Sequence, residues 1–219
     1  MNWDQKIISD PDLRAYQDDE SDQSLEARLA ALIDQQTDTW PLLSEGCEAF
    51  SQIETKRVRV QQSEVVVQHN PGRLRSTAAA VDRASVEGRR CFLCPENLPQ
   101  EEKGIAYGDD LVILCNPFPV LDRHLSIVHR DHVPQQIEGN VGPLLLLAHD
   151  LGPSYFVLYN GPQCGASAPD HLHFQACSRE VLPIEEKLYE DEPVMVEDCS
   201  YCEETARNSF ELFTLGGCG

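Results

Sequence analysis

The sequence predicts an α+β protein built around an antiparallel β-sheet, and three observations carry that expectation. Apolar or alternating segments at Leu111–Cys115, 124–129, 155–159 and 171–176 have the length and period of strands. Turn signals, among them Asn116-Pro117 and Asn160-Gly161, separate these segments at hairpin distances. A helix-length apolar stretch, Val141–Asp150, lies between the second and third of them, so strands and helices alternate without the regular rhythm of a parallel sheet.

Taken in order, residues 1–22 are rich in acids (Asp10, Asp12, Asp18, Asp19, Glu20, Asp22) and poor in apolar periodicity, which predicts a loosely ordered leader. Residues 24–36 place Leu25, Leu29, Leu32 and Ile33 at helical spacing behind Ser24, a residue type that caps helix N-termini. Trp40-Pro41 ends that run, and a short helix is expected over 45–52. Val58, Val60 and Val65-Val66-Val67 suggest a hairpin over 55–68, closed by a turn at Asn70-Pro71-Gly72. A basic connector from 73 to 90 leads into a knuckle, Cys91-Phe92-Leu93-Cys94. Beyond residue 185 the chain is acidic, with a short amphipathic helix expected over 200–213.

Charge limits the partners. The net charge is −20, and it is concentrated in the flanks: residues 1–50 hold twelve acids against three bases, and 181–219 ten against two. Such a chain repels nucleic-acid backbones, so DNA and RNA are not expected partners. A small anion can still bind the nearly balanced middle, which carries Arg73, Arg75, Arg89 and Arg90. No apolar run approaches the length of a membrane span, and the first residues lack the pattern of an export signal, so a cytoplasmic protein without membrane partners is expected. Nine cysteines, an odd number, argue against a disulfide framework; Cys91/Cys94 and Cys199/Cys202 have the spacing of metal ligands, redox pairs or incidental buried thiols.

The richest stretch is His171-Leu172-His173-Phe174-Gln175, which follows a Gly165-Ala166-Ser167 turn. In an extended chain His171, His173 and Gln175 share one face, with Leu172, Phe174 and Ala176 on the other. One imidazole can attack phosphorus, while loop amides and the glutamine amide hold phosphate oxygens. The same pattern also describes a half-buried strand whose polar face is rich in histidine.

Several further motifs stand in order around that strand: Asn116-Pro117-Phe118-Pro119-Val120, then 124–128, then 160–169. Together, from about residue 70 to 183, they resemble the histidine-triad (HIT-like) superfamily. The similarity is to the branch containing galactose-1-phosphate uridylyltransferase, diadenosine tetraphosphate phosphorylase and GDP-galactose phosphorylase, and to an uncharacterised bacterial group within it. The resemblance implies a HIT-like antiparallel sheet flanked by helices, with a HIT-like catalytic domain over 55–184. An acidic leader with N-terminal helices (1–54) would precede it and an acidic tail (185–219) follow it. It implies that His173 attacks the α-phosphorus of a nucleotide to form a covalent nucleotidyl-histidine. It also implies that Gln175 takes the place of the third histidine carried by hydrolases of the superfamily. A glutamine amide can donate a hydrogen bond but cannot deliver a proton, which suits exchange of anionic acceptors.

By the same resemblance, Asn160, Gly165, Ala166 and Ser167 contact the phosphates, and Arg73 and Arg75 match a basic segment assigned to phosphate. Cys91, Cys94, His132 and His171 match a structural Zn²⁺ site, with His129 as rival for the third position. Asp170 departs from the small or apolar residue usual before the first histidine. The named enzymes have two related halves and this chain only one, which suggests a homodimer. The expected function is a nucleotidyltransferase or phosphorylase acting on a nucleotide-sugar or a dinucleoside polyphosphate. Hydrolysis of a nucleotide phosphoanhydride, or nucleotide binding without turnover, is the alternative.

Overall fold

The computed structural model describes residues 2–14, 24–61, 63–70, 83–183 and 185. The observed architecture is the α+β arrangement expected from the sequence. Helices α1 (Leu25–Thr39) and α2 (Pro41–Ser51) come first, followed by a hairpin of β1 (Glu54–Val60) and β2 (Ser63–His69), and then a short α3 (Arg83–Gly88). Strands β3 (Gly104–Tyr107), β4 (Leu111–Cys115), β5 (Leu125–His129), β6 (Tyr155–Leu158) and β7 (His173–Ser178) form one sheet in the order β3-β4-β5-β7-β6. Every neighbouring pair is antiparallel. Helix α4 (Val141–Asp150) links β5 to β6.

The Ser24 side chain accepts from the Ala27 N–H, as an N-cap should, and α1 continues to Thr39. Trp40 is both the last cap of α1 and the first of α2, with Pro41 at the opening position where its missing N–H costs nothing. The second helix therefore begins four residues ahead of its expected start. Strand β3, four residues long, has no counterpart among the sequence-based expectations.

The two faces of the sheet are covered differently. Leu111, Ile113, Cys115, Leu125, Ile127, Phe174, Ala176 and Tyr155 point to one side, where they pack with Leu29, Leu32, Trp40, Leu43 and Leu147 of the helices. On the opposite face Val112, Leu114 and Val128 pack under Trp3, Leu93, Leu98 and the two knuckle cysteines. That cover stops at the β5/β7 boundary. Beyond it the register brings Ser126 opposite Gln175, and Leu158 opposite Gln175 from the far side. The polar side chains of β7 thus lie on the knuckle side of the sheet beside this cluster, with His173 buried and Gln175 half-buried.

Residues 2–14 are docked, not loose as their composition suggested. Ile7 bridges Gly104 at the edge of β3, and the Trp3 indole N–H donates to the Arg130 carbonyl at 2.7 Å. Lys6 is fully buried, its ammonium donating to the carbonyls of Leu98 (3.2 Å) and Pro99. Trp3, Ile7, Ile8, Leu13 and the stem of Lys6 provide the apolar contact, at spacings that follow neither a helical nor a strand period.

A turn at 116–119 is held close to α2. A Cβ added to Gly46 would lie 2.0 Å from the Pro117 carbonyl oxygen, so only glycine permits this approach. The hairpin is tied to the same region by the Gln68 amide, which donates to the Val120 carbonyl at 3.1 Å. Arg73, Arg75, the Cys199/Cys202 pair and the helix expected over 200–213 lie outside the described residues. Among the described residues, no helix is long and apolar enough to cross a membrane.

Candidate functional site

Strand β7 begins at His173, so His171 lies two residues ahead of it in the bend that leads in. The two histidines consequently have different surroundings. His171 is fully buried, with its Nε2–H donating to the His129 carbonyl at 2.8 Å. A carbonyl can only accept, so the proton is on Nε2 and the Nδ1 lone pair faces the knuckle. There it meets Cys91 Sγ at 3.3 Å and Cys94 Sγ at 3.6 Å. His132 Nδ1 lies 3.2 Å from Cys94 Sγ.

The four donor atoms of Cys91, Cys94, His132 and His171 all lie within 4.8 Å of one another. In a tetrahedral zinc site, bonds of about 2.3 Å to sulfur and about 2.0 Å to nitrogen would separate S and N donors by roughly 3.5 Å, close to the spacings found here. The electrostatics agree. Burial, reinforced by the adjacent Cys91, pushes the Cys94 thiol up to about 12, so a thiolate at this place calls for a cation. Burial pushes His171 below the usual histidine range, towards the neutral form a metal ligand needs. His129 is not part of the cluster. Its side chain belongs to the other face of β5, where Nδ1 accepts from the Asp131 N–H at 3.0 Å.

His173 has its Nδ1 2.8 Å from the His171 carbonyl. By the same logic Nδ1 carries the proton and Nε2 the lone pair. The ring is 6% exposed, and this burial holds its pKa below the ordinary value. Gln175 Oε1 lies 2.7 Å from His124 Nε2, while His124 Nδ1 accepts from the Val120 N–H at 3.4 Å. His124 therefore donates to the glutamine carbonyl, which turns the Gln175 amide NH₂ away from His124.

The remaining expected residues lie in the loop between β6 and β7. Asn160 is half-buried, Gly165 is exposed with φ +98°, Ala166 is buried and Ser167 is exposed. Buried Ala166 can offer a ligand only its backbone. The Ser167 carbonyl accepts from Arg89 at 3.1 Å.

A family model described as a domain of unknown function (DUF4922) matches residues 32–178, about two thirds of the chain. The chain belongs to that family. The DUF4922 match runs from within α1 to the end of β7 and contains all four knuckle donors, His173 and Gln175. No curated protein matches the chain.

Among solved structures, it is similar to yeast Ap4A phosphorylase at 19% identity, covering 74% of this chain and 55% of that one, with a TM-score of 0.48. The same enzyme in complex with Ap4A matches at 19% identity, 74% and 56% coverage and a TM-score of 0.47. A histidine triad protein from Clostridium difficile matches at 17% identity, 42% and 90% coverage and a TM-score of 0.32. The DUF4922 chain spans about half the length of the yeast phosphorylase.

The structure adds residues that the sequence did not single out. Gln135, buried in the loop after β5, accepts from the His173 N–H at 2.8 Å and donates to the His173 carbonyl at 3.1 Å. It also donates to the Asn160 carbonyl at 2.8 Å, so one side chain joins the start of β7 to the loop that precedes it. A loop glutamine has no periodicity to betray such a role. His124 was legible only as a strand residue. Replacing Gln135 by alanine would strand a buried N–H and two carbonyls, at a cost of roughly 1–3 kcal/mol. At about 2–4 °C per kcal/mol for a chain of this size, the melting temperature is expected to fall by several degrees. A thermal melt of Gln135→Ala within one degree of wild type would show that the clamp contributes nothing.

Proposed function

We propose that this protein is a HIT-like nucleotidyltransferase or phosphorylase that works through a covalent nucleotidyl-histidine on His173, with a nucleotide-sugar or a dinucleoside polyphosphate as substrate. The observation that carries this reading is the 2.8 Å contact from His173 Nδ1 to the His171 carbonyl, which assigns the lone pair to Nε2. In the first step Nε2 attacks the α-phosphorus. A P–N bond forms, the bond from that phosphorus to the bridging oxygen breaks, and the remaining phosphate leaves as an anion. In the second step an oxygen of an acceptor phosphate attacks the same phosphorus, the P–N bond breaks and the ring regains its lone pair.

The Gln175 amide, oriented by His124, would donate to a phosphate oxygen as charge develops. Backbone amides of Gly165 and Ala166, with Asn160 and Ser167, would cradle the other oxygens, and Arg73 and Arg75 would supply positive charge. Gln175 cannot protonate a leaving group, which favours anionic leaving groups and acceptors over hydrolysis. The test is incubation with diadenosine tetraphosphate, with and without inorganic phosphate. Phosphate-dependent formation of a nucleoside diphosphate supports phosphorolysis, release of free nucleotide without phosphate indicates the hydrolase alternative, and binding without product indicates a non-catalytic module.

Cys91, Cys94, His132 and His171 would hold Zn²⁺, with all four positions filled by protein, so the ion would brace the histidine strand and take no part in the reaction. We further infer a homodimer. Strand β6 is an edge of the five-stranded sheet, and α4 beside it leaves Val141 47% and Leu146 54% exposed. A second copy set against that edge would cover both features. Sedimentation equilibrium should give twice the chain mass, and Leu146→Glu should return it to one; a wild-type chain that sediments as a monomer removes this inference.

A further inference from the structure

We propose that Asp170, anchored by Arg89, is a positioning residue that keeps His132 on the metal and couples this ligand to the loop between β6 and β7; the proposal rests on the zinc reading given above. The four ligands are not equally secured. Cys91, Cys94 and His171 are buried, and His171 is fixed from behind by the His129 carbonyl. The His132 side chain is 46% exposed, and no carbonyl holds its far nitrogen among the described residues. With Nδ1 given to the metal, the ring proton must sit on Nε2, and the acceptor facing Nε2 is Asp170 Oδ2 at 3.6 Å. This distance leaves room to tighten once the ring carries a share of the metal's charge.

Asp170 is itself held. Its other oxygen lies 3.4 Å from Arg89 Nη2, which also donates to the Ser167 carbonyl at 3.1 Å. The guanidinium stacks on Phe92, inside the knuckle, with its carbon 4.8 Å from the ring centroid. His132 and His171 meet edge to face at 4.9 Å. Metal ligand, carboxylate, arginine and loop carbonyl thus form one connected path, in which each charge is about three-quarters shielded from solvent. A displacement of the loop moves Arg89, and through Asp170 it changes the grip on His132.

The departure at position 170, where an acid stands before the first histidine, has its use in this path. Arg89 and Phe92 belong to the knuckle side, and Ser167 and Asp170 to the loop side. The contacts of Arg89 with Ser167 and Asp170 join the two sides.

The experiment is the rate at which zinc-loaded protein releases metal to a chromogenic chelator. Loss of an outer carboxylate commonly weakens a site by about 10–100-fold, so Asp170→Ala is expected to release zinc faster by that factor. Asp170→Asn, which keeps the shape and removes the charge, should be nearly as fast, and Arg89→Met should lie between it and wild type. His149→Ala, which changes an exposed histidine on α4, serves as the control and should match wild type. Release from Asp170→Asn at the wild-type rate would overturn the proposal, because shape alone would then suffice. If wild-type protein carries no zinc at all, the zinc reading falls and this proposal falls with it; zinc-loaded wild type with indifferent Asp170 variants removes the proposal alone.

Discussion

His173→Ala is expected to lose trapping of labelled nucleotide on the protein, with turnover down by at least about 10³-fold, the scale seen when a nucleophile is deleted. Neighbouring groups cannot replace it. His171 Nδ1 is turned to the knuckle thiols and its Nε2 is occupied by a carbonyl, so neither nitrogen is free to attack. The His124 ring is engaged at both nitrogens, by the Val120 N–H and by Gln175. If His173→Ala labels as well as wild type, the covalent mechanism is wrong whatever else the protein does.

The same residue predicts a pH profile. Only the neutral imidazole attacks, and burial lowers the His173 pKa from the ordinary 6.5, so the neutral form persists to lower pH than in an exposed histidine. The midpoint of the decline in labelling rate should therefore lie below pH 6.5. A midpoint above pH 6.5 would mean a raised pKa, which contradicts the burial of the ring.

Four strands of the sheet were legible because each is a short apolar or alternating run bounded by turn residues, and Val141–Asp150 because its length and apolar content suit a helix. Strand β3 was not, since Gly104-Ile105-Ala106-Tyr107 is too short and too mixed to show a period. The face shared by His173 and Gln175 followed from strand alternation, but alternation stops where the strand stops. His171 lies outside β7, and its orientation is set by the His129 carbonyl and the knuckle. The cysteine and histidine cluster was legible only through motif order, because its members are 80 residues apart at the widest. Gln135, His124 and the docked Lys6 act through two or three hydrogen bonds each to backbone or side chain, which leave no pattern in a sequence.

Removing the metal is expected to lower stability without unfolding the sheet. The core that joins Phe174, Ile127 and Ile113 to the helices lies on the opposite face and does not involve the knuckle. Without a cation, the knuckle keeps the Asn97 side-chain bond to the Cys91 carbonyl at 2.8 Å and the Lys6 contacts to Leu98 and Pro99. It loses the one interaction that joins all four donors. A site filled at a thousand times its dissociation constant stabilises the folded chain by about 4.1 kcal/mol, which at roughly 2–4 °C per kcal/mol corresponds to about 8–16 °C in melting temperature. Cys94, whose sulfur touches both His132 and His171, is the ligand with the most to lose. Cys94→Ser should melt about as low as chelator-treated wild type, and the chelator should lower it no further. That equality separates a metal effect from a packing effect: loss of a buried sulfur alone would add to the action of the chelator, whereas loss of the ion can occur only once. A wild-type melt that the chelator does not move, in protein shown by elemental analysis to contain no zinc, would mean that hydrogen bonds alone hold the knuckle beneath the histidine strand.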